Sequence, residues 1–196
     1  MSNYDRMQEA ARQRFVCYDR NDLASRAGVQ VLTDGIRTSF FAQDVLVNTA
    51  TGQITVGAEQ ANFTQALSIY DWLCDCQPNA VAANEFCPVG SLPGVFVGGS
   101  GLGIVPAKLA QAIHRNPDGF CHACEKMHGI PVTMGDMGYR IDIFPGLPMC
   151  LKFYFGDEEF SPTLTLLWDR NILHFVRYET VYYIAGCLQE RLLQLM

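Results

Sequence analysis

The chain has 196 residues, of which 49% are hydrophobic and 17% charged, with a formal net charge of −6 at pH 7. That is a globular composition, long enough to bury a core without disulfide or metal support, and its acidic balance without a basic patch argues against binding nucleic acid through phosphates. No apolar run reaches the roughly 18 residues that span a bilayer, and Asp5, Arg6, Glu9, Arg12 and Arg14 interrupt any secretory signal, so a cytoplasmic protein away from the membrane is expected.

Residues 4–18 read as a helix and residues 21–27 as a second, short one stopped by Gly28. Short apolar runs at 29–33, 36–41, 45–47 and 53–56, separated by Asp34-Gly35, Gln43-Asp44 and Thr51-Gly52, predict an antiparallel meander. Over 61–76 the period becomes helical, with Phe63, Ala66, Leu67, Tyr70, Leu73 and Cys74 on one stripe. An irregular region rich in Pro and Gly follows from Pro78 to Gly103. Pro106 opens a helix to about His114, and Asp118 is the expected cap of another to about His128, ended by Gly129-Ile130-Pro131. Strands return at 132–134, 139–144, 149–155 and 163–168, and a last helix runs over 178–195 with Val181, Ala185, Leu188 and Leu192 on its buried stripe. Strands grouped with strands and helices with helices predict one α+β domain over 1–196, with a predominantly antiparallel sheet and helices packed against it.

Several residue sets could carry chemistry. Asp157, Glu158 and Glu159, joined by Asp136, Asp142 or Asp169, could hold a hard cation through oxygen ligands or act in acid–base catalysis. The plain alternative is a turn at Gly156-Asp157 with both glutamates in solvent. Cys121, Cys124 and His128 fall on one helix face and could bind zinc or iron, with Cys74, Cys76, Cys87 or His114 as a fourth ligand. Read plainly, they are a core stripe of small apolar thiols, and all eight cysteines are expected free rather than bridged. Cys74 and Cys76 point in different directions at a helix end, so a redox pair would require that end to unwind. The loop containing Gly99, Gly101 and Gly103 lies between a strand and a helix and could hold an anion, but its spacing fails the dinucleotide fingerprint. Trp72, Trp168, Tyr70, Tyr182 and Tyr183 read as core, with a ligand pocket as the alternative. No nucleophile elbow occurs.

Gly135-Asp136, Ile143-Phe144-Pro145-Gly146-Leu147-Pro148, Gly156-Asp157-Glu158-Glu159-Phe160, Leu166-Leu167-Trp168-Asp169 and Glu179 follow one another in the C-terminal third. Together with Ile69-Tyr70-Asp71-Trp72-Leu73 upstream, this succession resembles the family called domain of unknown function 3786. The resemblance implies an uncharacterised protein of bacterial and archaeal anaerobes, some of whose relatives look like fusions to an iron–sulfur module of the kind found in corrinoid proteins. It transfers no catalytic residue. The expected role is a non-catalytic binding or accessory protein of anaerobic redox or one-carbon metabolism. Such a protein would work with an iron–sulfur or corrinoid partner, or take a small ligand in the cleft beside the Gly-rich segment. The alternatives are a metal-dependent enzyme built on the acidic cluster and a homo-oligomerising interaction domain.

Overall fold

The computed structural model describes residues 3–19, 23, 26, 28–92, 94, 95 and 107–196. Within them, two antiparallel sheets and a set of long helices form the expected α+β fold. The Gly99, Gly101 and Gly103 loop and, apart from Leu23 and Arg26, the helix expected at 21–27 lie outside the described residues.

The first sheet is a meander in sequence order: β1 (Gln30–Val31), β2 (Gly35–Phe40), β3 (Gln43–Asn48), β4 (Ile54–Val56) and β5 (Glu59–Gln60). Its period of two sends Ile36, Thr38, Phe40, Val45, Val47, Ile54 and Val56 inward. The β2–β3 turn places Phe41 and Ala42 at φ 47° and 59°, a left-handed geometry that tight hairpins demand. The buried Phe41 ring, together with a backbone N–H donated to Ile143 O at 2.9 Å, offsets that strain and ties the turn to the second sheet.

The second sheet runs in the order β6 (Phe86–Cys87), β10 (Thr163–Asp169), β9 (Leu147–Tyr154), β8 (Met137–Phe144), β7 (Ile130–Pro131). The strand expected at 132–134 forms instead at Ile130–Pro131, where the backbone pairs with Tyr139 and Arg140. One face carries Tyr139, Ile141, Met149, Leu151, Phe153, Leu164, Leu166 and Trp168, all buried. Against it pack α3 (Ala107–Arg115) and α4 (Pro117–Lys126), with Phe120 of α4 meeting Tyr139 edge-on at 5.8 Å, while α5 (Tyr178–Leu195) packs on α4. The cap of α4 is Asn116, whose side chain accepts from Gly119 N–H, rather than Asp118; Pro117 holds the first helical position, where a missing N–H costs nothing. In α5 the expected stripe of Val181, Ala185, Leu188 and Leu192 is buried.

Helix α2 (Phe63–Asp75) opens with a capping box between Asn62 and Gln65. It was expected to bury one stripe, but every residue from Ala66 to Leu73 is buried. The reason is its position: α1 (Asn3–Val16) and α5 both pack on it. Its one acidic residue in that stretch, Asp71, is satisfied by Arg14 Nη2 at 2.6 Å and Thr180 Oγ1 at 2.6 Å, so the buried carboxylate joins all three helices. Phe144, at the end of β8, stacks on Trp72 of α2 at 4.4 Å and on Phe40 of β2 at 4.8 Å, locking both sheets to the central helix. Among the described residues, no helix is long and apolar enough to cross a membrane.

Candidate functional site

Beyond α2 the chain runs through residues 77–85 without regular structure, yet its backbone is tied down. Gln77 N–H donates to His174 O at 2.8 Å, Asn171 Nδ2 to Val81 O at 3.0 Å, and Arg170 N–H to Glu85 O at 2.8 Å. The Asp169 carboxylate, fully buried, accepts from the backbone N–H groups of Ala83 at 2.9 Å, Asn84 at 2.7 Å and Asn171 at 2.9 Å. An irregular strip whose backbone is tied at Gln77, Val81, Ala83, Asn84 and Glu85 is a wall rather than a loose loop.

This strip leans over the second sheet on the face opposite α4. In β8 the side chains alternate, so Arg140 points away from its buried neighbours Tyr139 and Ile141 and toward the strip. Between them lies a cleft of about 660 Å³, lined by Trp72 of α2, the Cys76 that caps it, residues 77–82, Asn84, the Pro145-Gly146 turn, Pro148 and Phe175. Two cations stand on its walls. Arg26 donates to the last-turn carbonyls of α2, Trp72 O at 2.7 Å and Leu73 O at 3.1 Å, with its guanidinium 5.6 Å from the Trp72 ring. That placement suits a cation at a helix C-terminus. Arg140 donates from Nη2 to Asn84 Oδ1 at 3.2 Å, while its Nε is buried without a hydrogen-bond partner among the described residues. Asn84 itself sits at φ 56°, a conformation that Asn tolerates and that Asp169 holds in place. No acidic side chain is among the described residues lining the cleft.

The carboxylates singled out from sequence are placed apart. Asp157 shapes the β9–β10 turn, accepting from the N–H groups of Glu159 and Phe160, each at 2.8 Å, with Glu158 and Glu159 exposed. The Phe160 and then the Glu159 amides hold the Asp157 carboxyl below its ordinary range. Asp169 ends the same strand that this turn begins, roughly 20 Å away at strand rise. Asp136 accepts from Phe155 N–H at 2.8 Å, and Asp142 is exposed on β8, two residues along from Arg140 but outside the cleft lining. His114, beside the acidic turn, accepts from Gly156 N–H at 3.4 Å.

Cys121, Cys124 and His128 also diverge. Cys121 lies against Met137, sulfur to sulfur at 4.0 Å, and against the Tyr139 hydroxyl, which that contact and then burial push above its usual range. Cys124 is 0% exposed in the core, whereas His128 is exposed at φ 57° just past the end of α4. Among the described residues, no group of three His, Cys, Asp or Glu side chains is placed to hold a metal ion. All eight cysteines are free. Burial pushes the Cys150 and Cys187 thiols up to about 11 and Cys124 higher still, so these three are expected to resist alkylation at pH 8 until the chain unfolds, while exposed Cys17 reacts first. Mass spectrometry after a timed pulse of iodoacetamide reads the order; early labelling of Cys124 would contradict its placement.

Arg26, Asn84 and Arg140 escaped the sequence reading because none belongs to a motif. One signal was available for Arg140: a cation between Tyr139 and Ile141, facing the same side of the strand as Asp142 in a run otherwise rich in apolar residues. The family model described as domain of unknown function (DUF3786) matches residues 19–191. No curated protein and no solved structure matches the chain.

Proposed function

We propose, for a chain that belongs to the DUF3786 family, a non-catalytic role in binding a small organic molecule in the cleft between α2, the 77–85 strip and the β8–β9 turn. The observation that carries this reading is the rigid construction of the cleft. Its irregular wall is tied to the rest of the fold through Asp169, Asn171, Arg170 and His174, so the space is built without a ligand. Its volume lies in the range of small-molecule sites, and its lining is mainly apolar, with Val81 exposed on the wall and Trp72, Pro148 and Phe175 nearly buried behind it. Among the described lining residues, Cys76 and the two arginines are the titratable groups, a set that grips a ligand better than it moves protons.

The test uses an apolar dye, N-phenyl-1-naphthylamine, titrated into the intact protein. Saturable binding of one equivalent is expected, with energy transfer from Trp72, and Ala82→Trp, which fills the cleft from its wall, should weaken it at least tenfold. Binding that is non-saturable, or indifferent to Ala82→Trp, would remove the reading.

A further inference from the structure

Taking the cleft as a binding site, we infer that its ligand carries an oxyanion, a carboxylate or a phosphate, on an apolar body, and that Arg140 is the anchor for that group. The charge pattern is the first reason. In a protein of net charge −6, this cleft presents Arg26 and Arg140 and no lining acid among the described residues. An accidental concavity in such a chain would be expected to carry acidic side chains on its walls.

The state of Arg140 is the second. Its guanidinium is held by one neutral acceptor, Asn84 Oδ1 at 3.2 Å from Nη2, and no carboxylate pairs with it among the described residues. Neither Nη group is closed off as Nε is, and an oxyanion accepting from the two Nη groups is a geometry that satisfies the outer edge of a guanidinium. Position is the third reason. Asp169 fixes Asn84 through its backbone N–H, and Asn84 in turn fixes Arg140, so the cation is aimed by a chain of contacts rather than left to wander in solvent. Asp169 and Asn84 are therefore positioning residues. Val81 and Ala80 on the wall, backed by the nearly buried Trp72, Pro148 and Phe175, give the apolar body its contact.

The experiment compares two dyes with the same aromatic body, neutral N-phenyl-1-naphthylamine and anionic 8-anilinonaphthalene-1-sulfonate, together with benzoate and phenyl phosphate as competitors. The sulfonate is expected to bind at least tenfold tighter than the neutral dye. Arg140→Gln should remove that preference while leaving neutral-dye affinity within threefold. Val81→Glu, at a site 71% exposed where folding is not at risk, should lower sulfonate affinity at least tenfold by placing a negative charge on the wall. Stronger displacement by benzoate identifies a carboxylate site, and stronger displacement by phenyl phosphate a phosphate site. Equal binding of the two dyes to the unaltered protein, or a preference that survives Arg140→Gln, overturns the anionic assignment while the binding site stands. Failure of both dyes overturns the binding site itself.

Discussion

Asp169→Ala is expected to destabilise the protein by about 3–4 kcal/mol and to open the wall of the cleft. The carboxylate accepts three backbone N–H groups in a fully buried position. Each such bond to a charged acceptor contributes roughly 1.5–3 kcal/mol net, and the loss falls short of the sum because Ala83 and Asn84 regain water once the strip loosens. Asp169→Asn separates the two roles. Its single carbonyl can still accept from Ala83 and Asn171, but the amide nitrogen then faces the Asn84 N–H, donor against donor. A smaller loss of about 1–2 kcal/mol is expected, with Asn84 displaced and Arg140 no longer held. Urea unfolding measures the first effect, and the sulfonate preference of the cleft measures the second. An Asp169→Ala protein within 1 kcal/mol of the parent would mean that the strip is held by other contacts.

Phe144→Ala should cost about 3–5 kcal/mol, the usual range for deleting a buried aromatic ring. Phe144 is 1% exposed and lies between Trp72, parallel at 4.4 Å, and Phe40 at 4.8 Å. Its removal leaves a void where both sheets meet α2, in a core that cannot collapse from three directions at once. Phe144→Leu keeps most of the volume but loses both ring contacts, and about 1–2 kcal/mol is expected. Thermal and urea unfolding of the two variants separates the cavity from the stacking. If Phe144→Ala lost less than the leucine variant, the ring would not be the joint described here.

The cleft and the joint differ in how far a sequence could reveal them. Strands β2, β3, β8 and β10 announce themselves through alternation because each has one face against the core, β9 through a nearly continuous buried run, and α5 through its helical stripe. The two-residue strands β5 and β6 were missed because they are too short to show any period. Helix α2 was legible as a helix but not as a central one. Asp71 and Ser68 break its apolar stripe; Ser68 donates to Thr64 O one turn back, but the burial of Asp71 is tolerated through partners distant in sequence, Arg14 57 residues from it and Thr180 109.

Local order therefore lay in the sequence by itself: the α+β class, most element positions, free cysteines, and a turn at Asp157 written in its own side chain. These depend on neighbours within a few residues, where backbone geometry and periodic burial act directly. The site depended on tertiary structure. Asn84 reaches Asp169 across 85 residues and Arg140 across 56, and Arg26 meets the end of α2 across 46. None of these residues has a distinctive local pattern, because what sets Arg140 apart is a place on the cleft wall with Asn84 as its neutral partner and no acidic one among the described residues, a property created when separate segments fold around it. The carboxylates and thiols that looked promising side by side were separated by the same process. Strand alternation, helix twist and burial direct neighbouring side chains to different places.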